Sequence, residues 1–271
     1  MPRLSLRNLY PKDLLVYFHA PGRKLVELAI RAKVAPEPGI LASIAKMLAE
    51  SNVRILGVNF TVREDERYIL IFADITSATL PLDEILKRIS SQDFVLEIRH
   101  QEGVIEGYIF DAFGYPPTIG RGKVRTVVFP LEALAGMRAR LMEKLGSGGA
   151  AILYHEGYLL GLQIGKMLAG DIRRESLLTE VCIRLYQALG WGLMNISKID
   201  TLAGEVVLRI EDNFEVIHRE GKADEPVCHF TRGVLVGFFE GLWGKKVEVI
   251  EAKCKATGDP YCEFIISFPP G

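Results

Sequence analysis

The chain has 271 residues, 49% of them hydrophobic and 25% charged, which is room for two domains and excludes a disordered or fibrous polypeptide. The net charge is −1, with Lys and Arg interspersed among Asp and Glu, so the clustered cation surplus of a nucleic-acid binder is missing. The densest positive run, Arg121 to Arg125, is short and reads as a solvated loop.

The first residues lack the continuous apolar core of a secretory signal. No apolar stretch reaches the roughly 20 residues that a membrane helix needs, and a soluble, cytoplasmic protein is expected. In a reducing compartment the four cysteines, Cys182, Cys228, Cys254 and Cys262, are expected to be metal ligands or inert thiols rather than disulfides.

In chain order, residues 1–23 form an extension in which Leu14 to Phe18 can be a strand and Pro21-Gly22 a turn. A strand is predicted over 24–33, then a turn at Pro36 to Gly39. A helix follows with Ile40, Ile44, Met47 and Leu48 on one face, ending at Asn52. Two strands, 53–62 and 67–76, flank the polar link Glu64 to Glu66. Pro81 opens a second helix with Ile85, Leu86 and Ile89 as its stripe, and 94–99 closes the unit as a strand. The order β-α-β-β-α-β is the ferredoxin-like pattern.

A strand, a Pro38-Gly39-Ile40 turn and a helix in this order resemble the ACT domain of amino-acid-responsive regulators, over about 24–102. The resemblance implies a small effector, commonly an amino acid, bound at a dimer interface by the loop after the first strand. It points at Glu37, Gly39 and Ile40, with Asn59 on the second strand. Gly39 allows close approach to the backbone, and the helix start offers free N–H donors to a carboxylate. Glu37 would repel that carboxylate but can hold an ammonium group. The plain alternative is a helix-starting turn in a module that only dimerises. A homodimer is expected, built through a small sheet whose edges need cover.

The domain boundary is placed near Gly103, at the start of a Gly- and Pro-rich stretch. Leu131, Leu134, Leu141 and Leu145 form one helical stripe, ended by Gly146 to Gly149. The next helix, 151–168, carries Gly157, Gly161 and Gly165 in register. Each costs roughly 1 kcal/mol against Ala, so a flat face is expected, for a neighbouring helix or for a ligand. Ser176 starts a third helix that Gly190 stops, with Cys182 as a buried core thiol. Strands at 191–201 and 205–212, a helix at 229–243 and a hairpin of 246–254 with 261–268 complete an α/β domain with an antiparallel sheet and a helical layer. The whole is therefore read as α+β. An enclosed apolar pocket is expected beside the glycine stripe, with Tyr158, Gly161, Tyr186 and Trp191 at its wall.

Cys254 and Cys262 flank the last turn symmetrically about Gly258, so their thiols should share a face, as half of a tetrahedral zinc site. Cys228 lies before a helix, where free N–H groups favour a thiolate. The nearest carboxylate is Glu251, but residues three apart face opposite sides of a regular strand, so Glu251 needs a bulge. His229 and Glu248 compete for the fourth position.

The segment from Glu251 and Cys254 through Gly258-Asp259 to Cys262 and Phe264 resembles the end of 4-vinyl-reductase-type (4VR) domains. These include the sensor domains of phenol- and xylene-responsive bacterial activators. The likeness extends over about 105–270, through Arg125 to Phe129 and through Gly157, Tyr158 and Gly161. It implies a structural zinc on Cys228, Glu251, Cys254 and Cys262, and it moves Glu251 ahead of its rivals. Thr179 and Val207 stand where the resemblance would place a His and a Trp for phenol, so phenol is not the expected ligand.

Together these signs point to a small-molecule sensor: an amino-acid-like effector at the first module, an apolar or aromatic ligand in the second, and an unidentified regulatory protein partner. There is no dinucleotide fingerprint, P-loop or paired catalytic constellation, and a non-enzyme is expected. The alternatives are an enzyme or accessory protein of tetrapyrrole or vinyl-group metabolism, and a thiol or metal sensor.

Overall fold

The computed structural model describes residues 9–33, 39–169, 175–200 and 204–268. The chain is mixed α and β with antiparallel sheets, and it divides into two compact units, Tyr10–Val128 and Phe129–Gly271.

In the first unit a short strand β1 (Tyr17–His19) precedes β2 (Leu25–Lys33), α1 (Ile40–Glu50), β3 (Arg54–Arg63), β4 (Glu66–Asp74), α2 (Leu82–Ser90) and β5 (Val95–Glu102). The four longer strands form one antiparallel sheet in the order β3-β4-β2-β5. Alternation along β2 sends Val26, Leu28 and Ile30 to the helical side. There they meet Ile44 and Leu48 of α1 and Ile85 and Ile89 of α2, in the residues whose helical spacing marked them as core.

The other face of this sheet has its own cover. Strand β6 (Tyr108–Phe110) pairs antiparallel with β1, and Ile109 packs with Leu25 and Phe72, flanked by Leu15 and Phe18. The hairpin of β7 (Thr118–Ile119) and β8 (Val124–Arg125) follows. This corrects the expected boundary at Gly103. The Gly- and Pro-rich stretch is the second half of a two-strand cover whose first half is the amino-terminal extension, so the division falls after Val128.

Glu27 lies under that cover, fully buried, and accepts a hydrogen bond from the Ala112 N–H at 2.9 Å. Its other oxygen has no partner among the described residues. Burial pushes the carboxyl up to about 7; the Ala112 N–H opposes the shift and nearby Asp111 adds to it.

The second unit begins with α3 (Leu131–Leu145) and α4 (Ser147–Ala169), followed by α5 (Glu175–Ala188), β9 (Leu193–Asp200), β10 (Glu205–Glu211), α6 (His229–Trp243), β11 (Glu248–Lys253) and β12 (Cys262–Ser267). Its antiparallel sheet has the order β11-β12-β10-β9. The leucine stripe of α3 finds no core: no residue of that helix is buried. The expected break at 146–149 is one residue long. Gly146, at φ +52°, turns the chain, and Gly149 enters α4 because a Cβ there would stand 2.9 Å from the Leu141 carbonyl oxygen.

The glycine stripe of α4 faces a second one. Cβ atoms at Gly157, Gly161 and Gly165 would stand 2.1, 2.1 and 2.3 Å from carbonyl oxygens of α6. Cβ atoms at Gly233, Gly237 and Gly241 would stand 2.0, 2.0 and 2.6 Å from carbonyl oxygens of α4. Backbone fills the space that the sequence reading assigned to a ligand.

The expected pocket residues are accordingly placed elsewhere. Gly161 is inside this contact. Tyr158 donates to Glu240 at 2.8 Å. Tyr186 is buried and bonded to Asn213 and Thr231. Trp191 packs against Tyr186, Phe214 and Phe230. Among the described residues, no shared cavity collects these four.

Two expectations follow. Gly161→Ala or Gly237→Ala should lower stability by about 2–4 kcal/mol in urea titrations, because overpacking against rigid backbone outweighs the helical gain of alanine. Gly136→Ala in α3, where a Cβ would meet nothing within 4 Å, should instead raise it by up to about 1 kcal/mol. Glu27, with its folded pKa near 7 above its unfolded 4.5, contributes most below pH 4.5, and that contribution is lost as pH rises through 7. Glu27→Gln should therefore flatten the decline of stability between those pH values; an unchanged profile would show that the carboxyl does not titrate there.

Candidate metal centre

Cys228, Glu251, Cys254 and Cys262 converge, with one ligand atom from each lying within 4.8 Å of all the others. Cys228 caps the start of α6, Glu251 lies on β11, Cys254 follows β11, and Cys262 opens β12. All three thiols are buried and free. The Cys228 Sγ lies 3.9 Å from that of Cys254 and 3.7 Å from that of Cys262.

Two local features bring these side chains together. The register of β11 against β12 shifts between Glu251 and Lys253, and the extra residue reverses the side-chain alternation. Glu251 and Cys254 thus turn to one side, which a regular strand forbids. A 3-10 turn (Lys255–Thr257) then closes through Gly258 at φ +101°, a conformation open mainly to glycine. Asp259 fixes this turn by accepting from the Cys254 N–H at 3.0 Å and from the Thr257 hydroxyl at 3.2 Å.

The start of α6 is the second support. Its free N–H groups meet two carboxylates: Cys228 N–H donates to Glu251 at 3.0 Å, and Phe230 and Thr231 N–H donate to Glu215 at 2.9 and 2.8 Å. Glu215 is buried, with Arg138 3.7 Å away and stacked over the Phe214 ring. Asn213 donates to the Cys228 sulfur at 3.4 Å and accepts from Tyr186 at 3.1 Å. Sequence reasoning missed Asn213, Glu215 and Thr231. They sit in a turn and a helix start, where no periodicity marks them.

Electrostatics show what the cluster lacks by itself. Burial pushes the Cys228 thiol well above its usual range and the Glu251 carboxyl up to about 8. Hydrogen bonds from Cys228 and Cys254 pull Cys262 down to about 4, so charge collects on one sulfur. The second Glu251 oxygen is buried without a hydrogen-bond partner. An orphaned oxygen beside three inward-facing sulfurs is a donor set that fits a thiophilic cation, which would replace the retained protons. Of the rival fourth ligands, neither His229 nor Glu248 is in the cluster. Cys182 stands apart in α5, its thiol pushed up to about 12 by burial.

Residues 206–268 match the model of the 4-vinyl-reductase (4VR) domain family. The matched segment runs from β10 to the end of β12 and contains all four clustered residues. An uncharacterized protein of Methanocaldococcus jannaschii is 28% identical over 193 residues, covering 70% of this chain and 72% of that one. Among solved structures, the phenol-responsive sensory domain of the transcription activator PoxR is 26% identical with a TM-score of 0.48, covering 55% of this chain and 79% of its own. A vinyl-4-reductase family protein from Methanocaldococcus jannaschii is 17% identical with a TM-score of 0.38, covering 54% and 85%.

The residues expected to hold an effector in the first unit are less convergent. Glu37 lies outside the described residues. Gly39, at φ +143°, precedes α1, whose first residue is Ile40. Asn59 is on exposed strand β3 and accepts from Thr61 at 3.1 Å. Nothing in the described geometry joins Asn59 to the start of α1.

Glu215→Ala strips the partners from two buried N–H groups and is expected to cost about 2–4 kcal/mol in urea denaturation. A loss below about 0.5 kcal/mol would mean that water replaces the carboxylate and that Glu215 does not hold the start of α6.

Proposed function

We propose that the chain is a small-molecule-binding regulatory protein. Its 4VR unit, clamped by a structural zinc, takes a small apolar or aromatic ligand, and an ACT-type first unit dimerises and takes an amino-acid-like effector. The observation that carries the reading is that the 4VR match spans the whole donor cluster.

Thiolates and carboxylates are both ligand types that zinc takes, and structural sites close at four of them. With Zn–S bonds of about 2.3 Å the edge of a tetrahedron is about 3.8 Å, and the sulfur separations from Cys228 are 3.9 and 3.7 Å. Zinc would supply the positive charge that lets these buried groups ionise together. Four protein ligands leave no open position, so the expected role is structural rather than catalytic. Cys228 and Glu251 would then fasten α6 to the β11–β12 hairpin.

For the first unit, support comes from its β-α-β-β-α-β order and its sheet order, which are those of a ferredoxin-like module. Gly39 adds a position where a ligand can approach the backbone. Val58 and Phe60 are exposed on edge strand β3, an apolar edge that a second copy would cover.

Native mass spectrometry of protein purified from its own cells should weigh a dimer with about one zinc per chain and a retained small molecule. Cys254→Ser should lose the zinc and melt at lower temperature. A zinc-free, ligand-free monomer, or a Cys254–Cys262 disulfide formed in the cell, would overturn this reading.

A further inference from the structure

Two hollows on the second unit meet at one pair of side chains. The first, of about 310 Å³, is lined by Ser147, Ala150, Tyr154, His155, His229 and Arg232. The second, of about 350 Å³, is lined by Tyr154 and Arg232 again, with Val236, Val247, Val249 and Ile250. Tyr154 and Arg232 form the partition, with the guanidinium over the Tyr154 ring at 5.3 Å from its centroid. Each volume is in the range of about 300–1,000 Å³ usual for small-ligand sites.

Their chemistry is opposite. The first hollow holds a guanidinium, a hydroxyl and two imidazoles, and no acidic residue lines it. Arg232 forms no ion pair with a carboxylate among the described residues, although its planar fork is shaped for one. Across the partition the wall is aliphatic, and Ile250 is 60% exposed there on β11. Glu248, the acidic residue at the second hollow, would disfavour an anion on that side and so helps to fix the orientation.

We infer that this groove, between α4, α6 and β11, binds a small amphiphilic carboxylate. The carboxylate pairs with Arg232 beside Ser147 and His155, and an aliphatic body lies over Val236, Val249 and Ile250. The inference rests on reading the 4VR unit as ligand-binding, and it names the ligand's class and place.

Octanoate and 1-octanol share a chain and differ in the head group, so calorimetric titration of the zinc-loaded full chain with each separates the two halves of the site. Octanoate should bind at least about tenfold more tightly than octanol, as expected when a charge-assisted pair is added to a shared apolar contact. Arg232→Gln should remove that advantage and leave octanol unchanged, while Ile250→Glu should weaken both. Zinc content and circular dichroism check that each variant folds. Salt gives a second reading on unmodified protein, since octanoate affinity should fall with ionic strength and octanol affinity should not. Equal binding of the two probes, or no effect of Arg232→Gln in a folded variant, overturns the carboxylate assignment. Octanol binding without octanoate would overturn the class and leave the ligand-binding reading intact. If neither probe binds but purified protein retains another small molecule, this groove is not its site.

Discussion

The backbones of α4 and α6 touch through six glycines, three from each helix, at distances that admit no Cβ on either side. Such an approach lets carbonyl oxygens of one helix reach the backbone of the next, where weak C–H···O contacts and dense van der Waals packing replace side-chain interdigitation. Six helical glycines carry an intrinsic penalty of several kcal/mol, at about 1 each, which the packing must offset. The arrangement tolerates almost no substitution, and it fixes α6 along most of its length. The opposite side of α6 brings Leu235 and Phe239 into the core with Leu208 and Phe264 of the sheet. Everything else in the second unit is placed against a helix held in this way.

At the start of α6 the constraint changes from packing to charge. A helix start buried in a core leaves N–H donors that must find acceptors, and here Glu251 and Glu215 provide them. Burying two carboxylates and three thiols within one region would be costly without compensation, and the raised Glu251, Glu215 and Cys228 values show that cost as retained protons. The helix dipole and Arg138 meet part of the demand at Glu215. At the thiol cluster no basic side chain is among the converging groups, and the orphaned Glu251 oxygen has no donor to answer it among the described residues. A single metal cation would meet both demands at once.

Periodicity carried much of the fold into view before any coordinates. The strands and helices of the first unit lie within a few residues of their expected places, because alternation along β2 and the apolar stripes of α1 and α2 are strong local signals. The helix at 229–243 was legible from its glycine stop, and the bulge at Glu251 from the requirement that four donors meet. What failed depended on partners distant in sequence. The small residues of α4 were visible, but their meaning lay in Gly233, Gly237 and Gly241, at the same spacing on another helix. Reading the two stripes together would have assigned the gap to backbone. The cover formed by β1 and β6 joins segments some ninety residues apart, with no pattern in either to announce the pairing. Glu27 gave no signal at all, since a single acidic residue in an alternating strand reads as solvent-facing until something packs over it.

The metal cluster and the proposed groove share one helical turn. Arg232 donates its backbone N–H to the Cys228 carbonyl, so the guanidinium that would receive a ligand extends from the first turn of the helix whose start the cluster holds. A binding residue on a fraying helix end would be ordered only when the ligand arrived, and that ordering would subtract from affinity. Fastened through Cys228 and Glu251 to the hairpin, and through the glycines to α4, the turn is ordered in advance. The same fastening gives ligand binding a route outward. β11 supplies Glu251 to the cluster and Val249 and Ile250 to the groove, so a guest that displaced this strand would act on both at once. A rigid clamp beside an open groove is a reasonable design for a sensor: the metal sets one arrangement of α6 and β11, and the ligand acts on a frame that is already ordered.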